Sequence, residues 1–168
     1  MKKYLITFVL IAVFIIGCKS TDTTQGAGSA SRTVAIKDFQ DAMGKELKLL
    51  AAHIDSTPFN RSILYNRDEL AKEGMPNVYT LTIASDTVSG VGAPNRYSAP
   101  FSRGSDQAIT IGLMRSTQMA PLVQPEKLQE HDFYLYMQNA NEWRIVNGNL
   151  EIVSKDDKGS PVRLVFGL

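Results

Sequence analysis

Cysteine occurs once in this chain, at position 18 of 168 residues, so no internal disulfide can staple whatever it folds into. A fold without that staple must hold itself together by burying apolar surface. The 135 residues from Val34 to the end suit one domain with its own core. The position of the cysteine narrows matters further. Lys2 and Lys3 are followed by an almost unbroken apolar run of thirteen residues, Tyr4 to Ile16. Crossing a bilayer takes about 20 apolar residues, so this run is short for a permanent span and fits the apolar region of an export signal.

The run ends in Ile15-Ile16-Gly17-Cys18, which resembles the bacterial lipobox of an aliphatic residue, two tolerant positions and a cysteine. The resemblance implies that the Cys18 thiol takes a diacylglyceryl group, that cleavage follows Gly17, and that the new amine is open to acylation. Two or more acyl chains hold a protein stably on a membrane. Three segments are therefore expected: a lipoprotein signal peptide over 1–17, a lipidated cysteine with a flexible tether over 18–33, and a domain over 34–168. Ser20 to Ser31 contains no large apolar residue, and twelve such residues span roughly 20 Å. In enteric-type sorting an Asp after the acylated cysteine favours the inner membrane. Lys19 stands there instead, so the outer membrane is expected over the inner. Without Lys2 and Lys3, 16 of the 18 basic residues remain against 17 acidic ones. No basic run is dense enough for nucleic acid or for docking a polybasic segment on a membrane.

Along the domain, Phe39, Met43, Leu47, Leu50 and Ile54 recur at helical spacing, while Leu47 and Leu49 alternate around Lys48 as in a strand. Asp55 to Pro76 is polar and reads as a long excursion with one helical turn near Asp68–Lys72. Val78 to Ala84 and Ala108 to Leu113 alternate as strands. Asn147-Gly148 sits between two strand-like runs, and that pair tolerates the positive φ angles of a type I′ hairpin turn. Asp156 to Gly159 makes a second turn into Val162–Phe166. Pro125 and Glu126 carry the signals of a first helical turn, predicting one main helix over about 125–140. The fold class predicted is α+β, a mostly antiparallel sheet packed on that helix.

The stretch Val88 to Phe101 (VSGVGAPNRYSAPF) resembles the META domain, the family of the small heat-shock-associated lipoprotein of enteric bacteria. Val88, Ser89, Gly90, Asn95 and Tyr97 match its pattern, with Phe101 in the last aromatic position. Ser116-Thr117-Gln118-Met119-Ala120 matches a second motif, Glu130 and Phe133 a helical E-x-x-F, and Ile145–Ile152 with Leu164 and Phe166 the closing strands. Gly44 to Leu49 resembles the family's opening strand, with Leu in place of Trp, which favours a strand there over the helical spacing. The resemblance covers roughly residues 39–168 and implies a partly barrel-like sheet. Both family cysteines are absent, replaced by Pro94 and Pro121. If relatives pair those cysteines, the two prolines should lie close together. The family has no settled catalytic motif, so Gly90, Asn95, Tyr97, Thr117 and Met119 carry over only as structural or binding residues.

Candidate chemistry is thin. Gly90-Val91-Gly92 lacks the following helix that a phosphate loop needs, since Pro94 and Pro100 intervene, so a turn or bulge is expected. Asn95 is read as holding its own loop. Arg96 fits either an anion or a surface ion pair. His53 and His131, the two histidines, stand in no metal-binding spacing. No G-x-S-x-G elbow occurs, and Asp156-Asp157 reads as solvated charge at a turn. No catalytic residue, cofactor or metal is assigned. Phe133, Tyr134, Tyr136 and Met137 make the helix apolar around most of its girth. That predicts core packing, or else a pocket for an apolar ligand lined by Phe133 and Met137.

The expectation is a membrane-anchored, non-enzymatic envelope module that binds a protein partner or an apolar ligand, stress-related or similar to the pilot lipoproteins of secretion systems. The alternatives are a structural envelope protein without a pocket, and a hydrolase whose site the sequence hides.

Overall fold

Among the described residues, one short helix precedes the sheet. Asp38 and Asp41 close a capping box around α1 (Phe39–Ala42), and the helix stops before Gly44, which takes a φ of +71°. The chain then enters β1 (Glu46–Ser56), where Leu47 and Leu49 both point into the core, 0% exposed. The alternation wins over the helical spacing that runs through the same residues, as the family resemblance implied. The residues described in this computed structural model are 35–56, 59–64, 67–120 and 125–168. Cys18, the tether and Pro121 lie outside them.

The remaining strands are β2 (Phe59–Leu64), β3 (Thr80–Ile83), β4 (Thr87–Val91), β5 (Arg96–Arg103), β6 (Ile109–Ile111), β7 (Arg115–Ser116), β8 (Glu142–Val146), β9 (Asn149–Lys155) and β10 (Pro161–Gly167). They form one sheet in the order β6-β5-β4-β3-β1-β10-β9-β8, with β2 on β1 and β7 on β5. Every ladder is antiparallel. Asn147 and Gly148 take φ of 52° and 77° at the β8–β9 turn, as the sequence predicts. At the β9–β10 turn Asp156 is more than solvated charge: its Oδ1 accepts the amides of Lys158 at 2.9 Å and Ser160 at 2.7 Å.

The sheet is open. Its end strands, β6 and β8, share no ladder. One bridge, Ala108 to Glu142, joins them, flanked by the Trp143 amide on the Gln107 carbonyl (2.9 Å) and the Ile109 amide on that of Asn141 (3.1 Å). A single aromatic cluster spans the same gap. The Phe39 ring of α1 stacks on Phe101 of β5 at 6.0 Å and lies 4.8 Å from Trp143 of β8, with the Arg103 guanidinium 4.4 Å above it.

Two expectations need correcting. The polar stretch after Asp55 is not all excursion, because β1 runs on to Ser56 and β2 folds back along it from Ser56↔Phe59 to Ala51↔Leu64. The helical turn that follows is α2 (Arg67–Lys72), and Arg67 donates to the carbonyls of Leu49 and Val78 at 2.7 and 2.5 Å, pinning it to the sheet. The main helix, α3, covers Glu130–Gln138 rather than 125–140. A helix starting at Pro125 would need the Leu128 carbonyl for the amide of Asp132. Gln129 instead takes an extended backbone, ψ 149°, that caps α3, while the Leu128 carbonyl accepts the buried Tyr79 hydroxyl and Leu128 itself is 2% exposed. Tertiary bonds thus override the local start signals.

Replacing Phe39 with Ala removes the one ring that touches strands near both ends of the sheet path. The expected cost is about 3–5 kcal/mol, read as a lowered urea midpoint. A midpoint unchanged from wild type would mean that the cluster does not tie the sheet ends together.

Candidate functional site

The motif residues converge where the β4–β5 hairpin turns. Gly90 of β4 faces the backbone of β3 so closely that a Cβ there would sit 2.1 Å from the Thr80 carbonyl oxygen and 3.0 Å from the Tyr97 ring. Tyr97 crosses beneath and donates its hydroxyl to that same carbonyl at 2.7 Å. The turn itself, Gly92 to Asn95, is organised by two side chains, Asn95 and Glu130.

Asn95 uses its whole bonding capacity. Its Oδ1 accepts the Met119 amide at 2.7 Å and the Thr117 hydroxyl at 2.9 Å. Its Nδ2 donates to Glu130 Oε2 at 2.7 Å and to the Met119 carbonyl at 3.3 Å. Glu130, at the first position of α3, is 8% exposed. Its Oε1 accepts the amides of Ala93 (2.6 Å) and Asn95 (2.7 Å), and the Tyr134 hydroxyl at 3.1 Å. Among the described residues no Lys or Arg pairs with it. Backbone amides, a side-chain amide and a phenol satisfy this buried carboxyl group in place of a cation. Gly92 makes the approach possible, since a Cβ there would lie 2.5 Å from both Glu130 Oε1 and the Tyr134 hydroxyl.

The two phenols are held neutral. Burial pushes the Tyr97 hydroxyl well above its ordinary value of 10.0, with Tyr134 adding to the effect. Burial also raises Tyr134, followed by the charge and hydrogen bond of Glu130. Groups so raised donate hydrogen bonds but make poor bases at neutral pH. On the outside, Gln129, Glu130, His131, Asp132 and Tyr134 line a shallow depression of about 520 Å³.

Of the residues expected from the sequence, Gly90, Asn95, Tyr97, Thr117 and Met119 are thus brought together. Pro94 belongs to the same turn, but the expected closeness to Pro121 lies outside the described residues. Phe133 and Met137 are each 0% exposed in the core, and the Phe133 ring packs against the hub's aromatic side, 4.9 Å from Tyr79 and 5.7 Å from Tyr97. His53 on β1 and His131 on α3 belong to separate elements. Among the described residues no group of three His, Cys, Asp or Glu could hold a metal ion. Arg96 makes no ion pair among the described residues. Sequence reasoning gave Glu130 only as a helix marker and did not single out Gly92 or Tyr134 for the hub. The signal was an acid four residues before a tyrosine in an otherwise apolar helix, a spacing that puts both on one face.

No family model matches the chain, and no curated protein does. A protein from Burkholderia xenovorans, solved by NMR, is similar in structure at a TM-score of 0.52 and 17% identity, covering 76% of this chain and 85% of that one. At that identity the likeness concerns the fold alone.

Two outcomes are expected. Glu130→Gln keeps an acceptor for the loop amides but turns an NH₂ group toward the Asn95 amide, and should cost about 1–3 kcal/mol in urea unfolding. An unchanged midpoint would show that the hub does not need the acid. For the phenols, a folded pKa raised above the unfolded one means that the folded state holds its protons longer. Their contribution is complete below pH 10 and is lost as pH rises through the raised values. Alkaline titration at the tyrosinate absorbance should therefore leave Tyr97 and Tyr134 protonated until the fold gives way. Early, reversible ionisation in a variant-assigned spectrum would contradict the burial of Tyr97, or the hold of burial and Glu130 on the half-buried Tyr134.

Proposed function

We propose that this chain is a bacterial envelope lipoprotein, anchored through acyl chains on Cys18, whose META-like domain over 34–168 binds a partner without doing chemistry. On this reading 1–17 is removed on export, 18–33 is the anchor and tether, and the outer membrane is the favoured site, from Lys19. The sheet is read as partly barrel-like, curled around the core that α3 contributes to. The single bridge between β6 and β8 and the ring of Phe39 between them support that curl.

The observation that carries the binding-module reading is the closure of the polar hub. Asn95, Thr117, Glu130 and Tyr134 bond one another and nearby backbone, so the matched motif builds a shape and offers no free nucleophile or base. Recognition then rests on the surface that this shape presents. Of the two partner classes, a protein is favoured over an apolar ligand. Phe133 and Met137 have no exposed surface, and a ligand could reach them only by lifting α3 from the sheet.

Metabolic labelling with an alkyne palmitate tests the anchor. Label should enter the wild-type protein and be absent from Cys18→Ser; equal labelling of both would refute it. Native mass spectrometry of protein extracted from membranes tests the module. The expected species is free of any retained lipid-sized ligand and captures a protein from envelope extract. A retained lipid mass, lost in Met137→Gln, would overturn the protein-partner preference in favour of the apolar pocket.

A further inference from the structure

The sequence lacks a basic run, yet strand pairing assembles a small basic patch. The pairing of Phe101 with Ile111 and of Ser98 with Arg115 differ by one residue in register, while the Gly112 amide still bonds the Pro100 carbonyl at 2.8 Å. The extra residue is a bulge at Leu113–Met114. It turns Leu113 outward, 74% exposed, while Met114 packs on the core. Beyond it the ladder resumes along β5, whose outward residues are Arg96, Ser98 and Pro100. Arg96 and Arg115 therefore share one outer face, and both line a shallow groove of about 310 Å³ with Ser98 and Thr117. Neither arginine has an ion-pair partner among the described residues. One acid, Asp86, stands in the adjoining groove, where its carboxyl accepts the Thr87 hydroxyl at 3.1 Å. Asn95 fixes the Met119 backbone at the far end, with the Met119 side chain 61% exposed.

Two cations without an ion-pair partner among the described residues thus lie side by side, and Leu113 and Met119 flank the segment that carries Arg115. Among the described residues the third large apolar side chain that stands exposed is Val146, on β8. We propose that this strip, Leu113 to Met119 with Arg96 beside it, rests on an anionic lipid surface and fixes the orientation of the tethered domain. The proposal rests on the anchored reading of Cys18, whose tether of roughly 20 Å would let the domain reach the headgroups. Charge complementarity selects the occupant. Guanidinium groups pair with headgroup phosphates, and single apolar side chains on either side of them suit insertion between headgroups. Each arginine near such a surface should favour docking about fivefold, hence about 25-fold for both, falling as salt screens them.

The test uses full-length protein purified from membranes, its acyl group verified by mass, in nanodiscs of phosphatidylcholine alone or mixed with phosphatidylglycerol. Hydrogen exchange of the amides from Leu113 to Met119 should slow on the anionic discs only. The protection should fall about 25-fold or more in R96E/R115E and fade at high salt, with the variant's melting unchanged. A second variant, Leu113→Ser with Met119→Ser, should weaken it without altering charge. Equal exchange on both discs would overturn the proposal and leave the anchor standing. Protection that appears only with added envelope extract would overturn it in favour of a protein partner. Should the chain prove unacylated, the anchor reading fails by itself. Binding of that free chain to anionic discs, lost in R96E/R115E, would still uphold the strip, and no binding would overturn it.

Discussion

A buried carboxyl group with no cation paired to it among the described residues organises this domain. Taking an unpaired acid out of water is costly, and Glu130 meets that cost with four donors drawn from the β4–β5 turn, the Asn95 side chain and its own helix. The four donors serve three structural constraints. The two turn amides fix the hairpin, the Tyr134 hydroxyl fixes the helix face, and Asn95 passes the arrangement on to Thr117 and Met119. Polar networks of this kind stabilise only when every member is satisfied. Here satisfaction runs across residues 93 to 134, so the hairpin, the segment after β7 and α3 are set together.

The same long range explains what could be read in advance. Elements decided within a few residues were legible: the Asn147-Gly148 turn and the alternation of β3 and β6, whereas the strand at Leu47–Leu49 needed the family resemblance to outweigh a competing helical spacing. The start of α3 was not legible. Pro125 and Glu126 are sound local signals, but the Leu128 carbonyl is claimed by Tyr79, forty-nine residues away. β2 was hidden for another reason. Its polar residues (FNRSIL) lack clean alternation, and only the adjacent edge of β1 makes them a strand. In the hub, Asn95, Thr117 and Met119 were readable as motif positions through the META resemblance. Their convergence on Glu130, 35 residues from Asn95, depends on topology that no spacing encodes.

What the motif means follows from where its bonds go. A residue matched to a family pattern invites a functional assignment, yet here the polar side chains of Asn95, Thr117, Glu130 and Tyr134 bond one another. Gly90 and Gly92 are required by closeness: the Thr80 carbonyl and the Glu130 carboxyl occupy the space that a side chain would need. The motif is thus a statement about shape, and shape is shared more widely than activity.

The bulge after β6 shows how the inner and outer layers are joined. Along an unbroken strand, Leu113 would follow the core-facing parity of Ile109 and Ile111, both 4% exposed. One inserted residue reverses that parity, so Met114 goes in and Leu113 comes out. Leaving a leucine in water forgoes about 1.5–3 kcal/mol of burial, and the register at both ends is held by bonds remote from it: Gly112 to Pro100 on one side, Met119 to Asn95 on the other. The hub therefore does more than hold the core. By clamping the far end of this segment, it keeps the bulge in place and holds Arg115 in line with Arg96, so the inward-facing motif determines what the outward face displays.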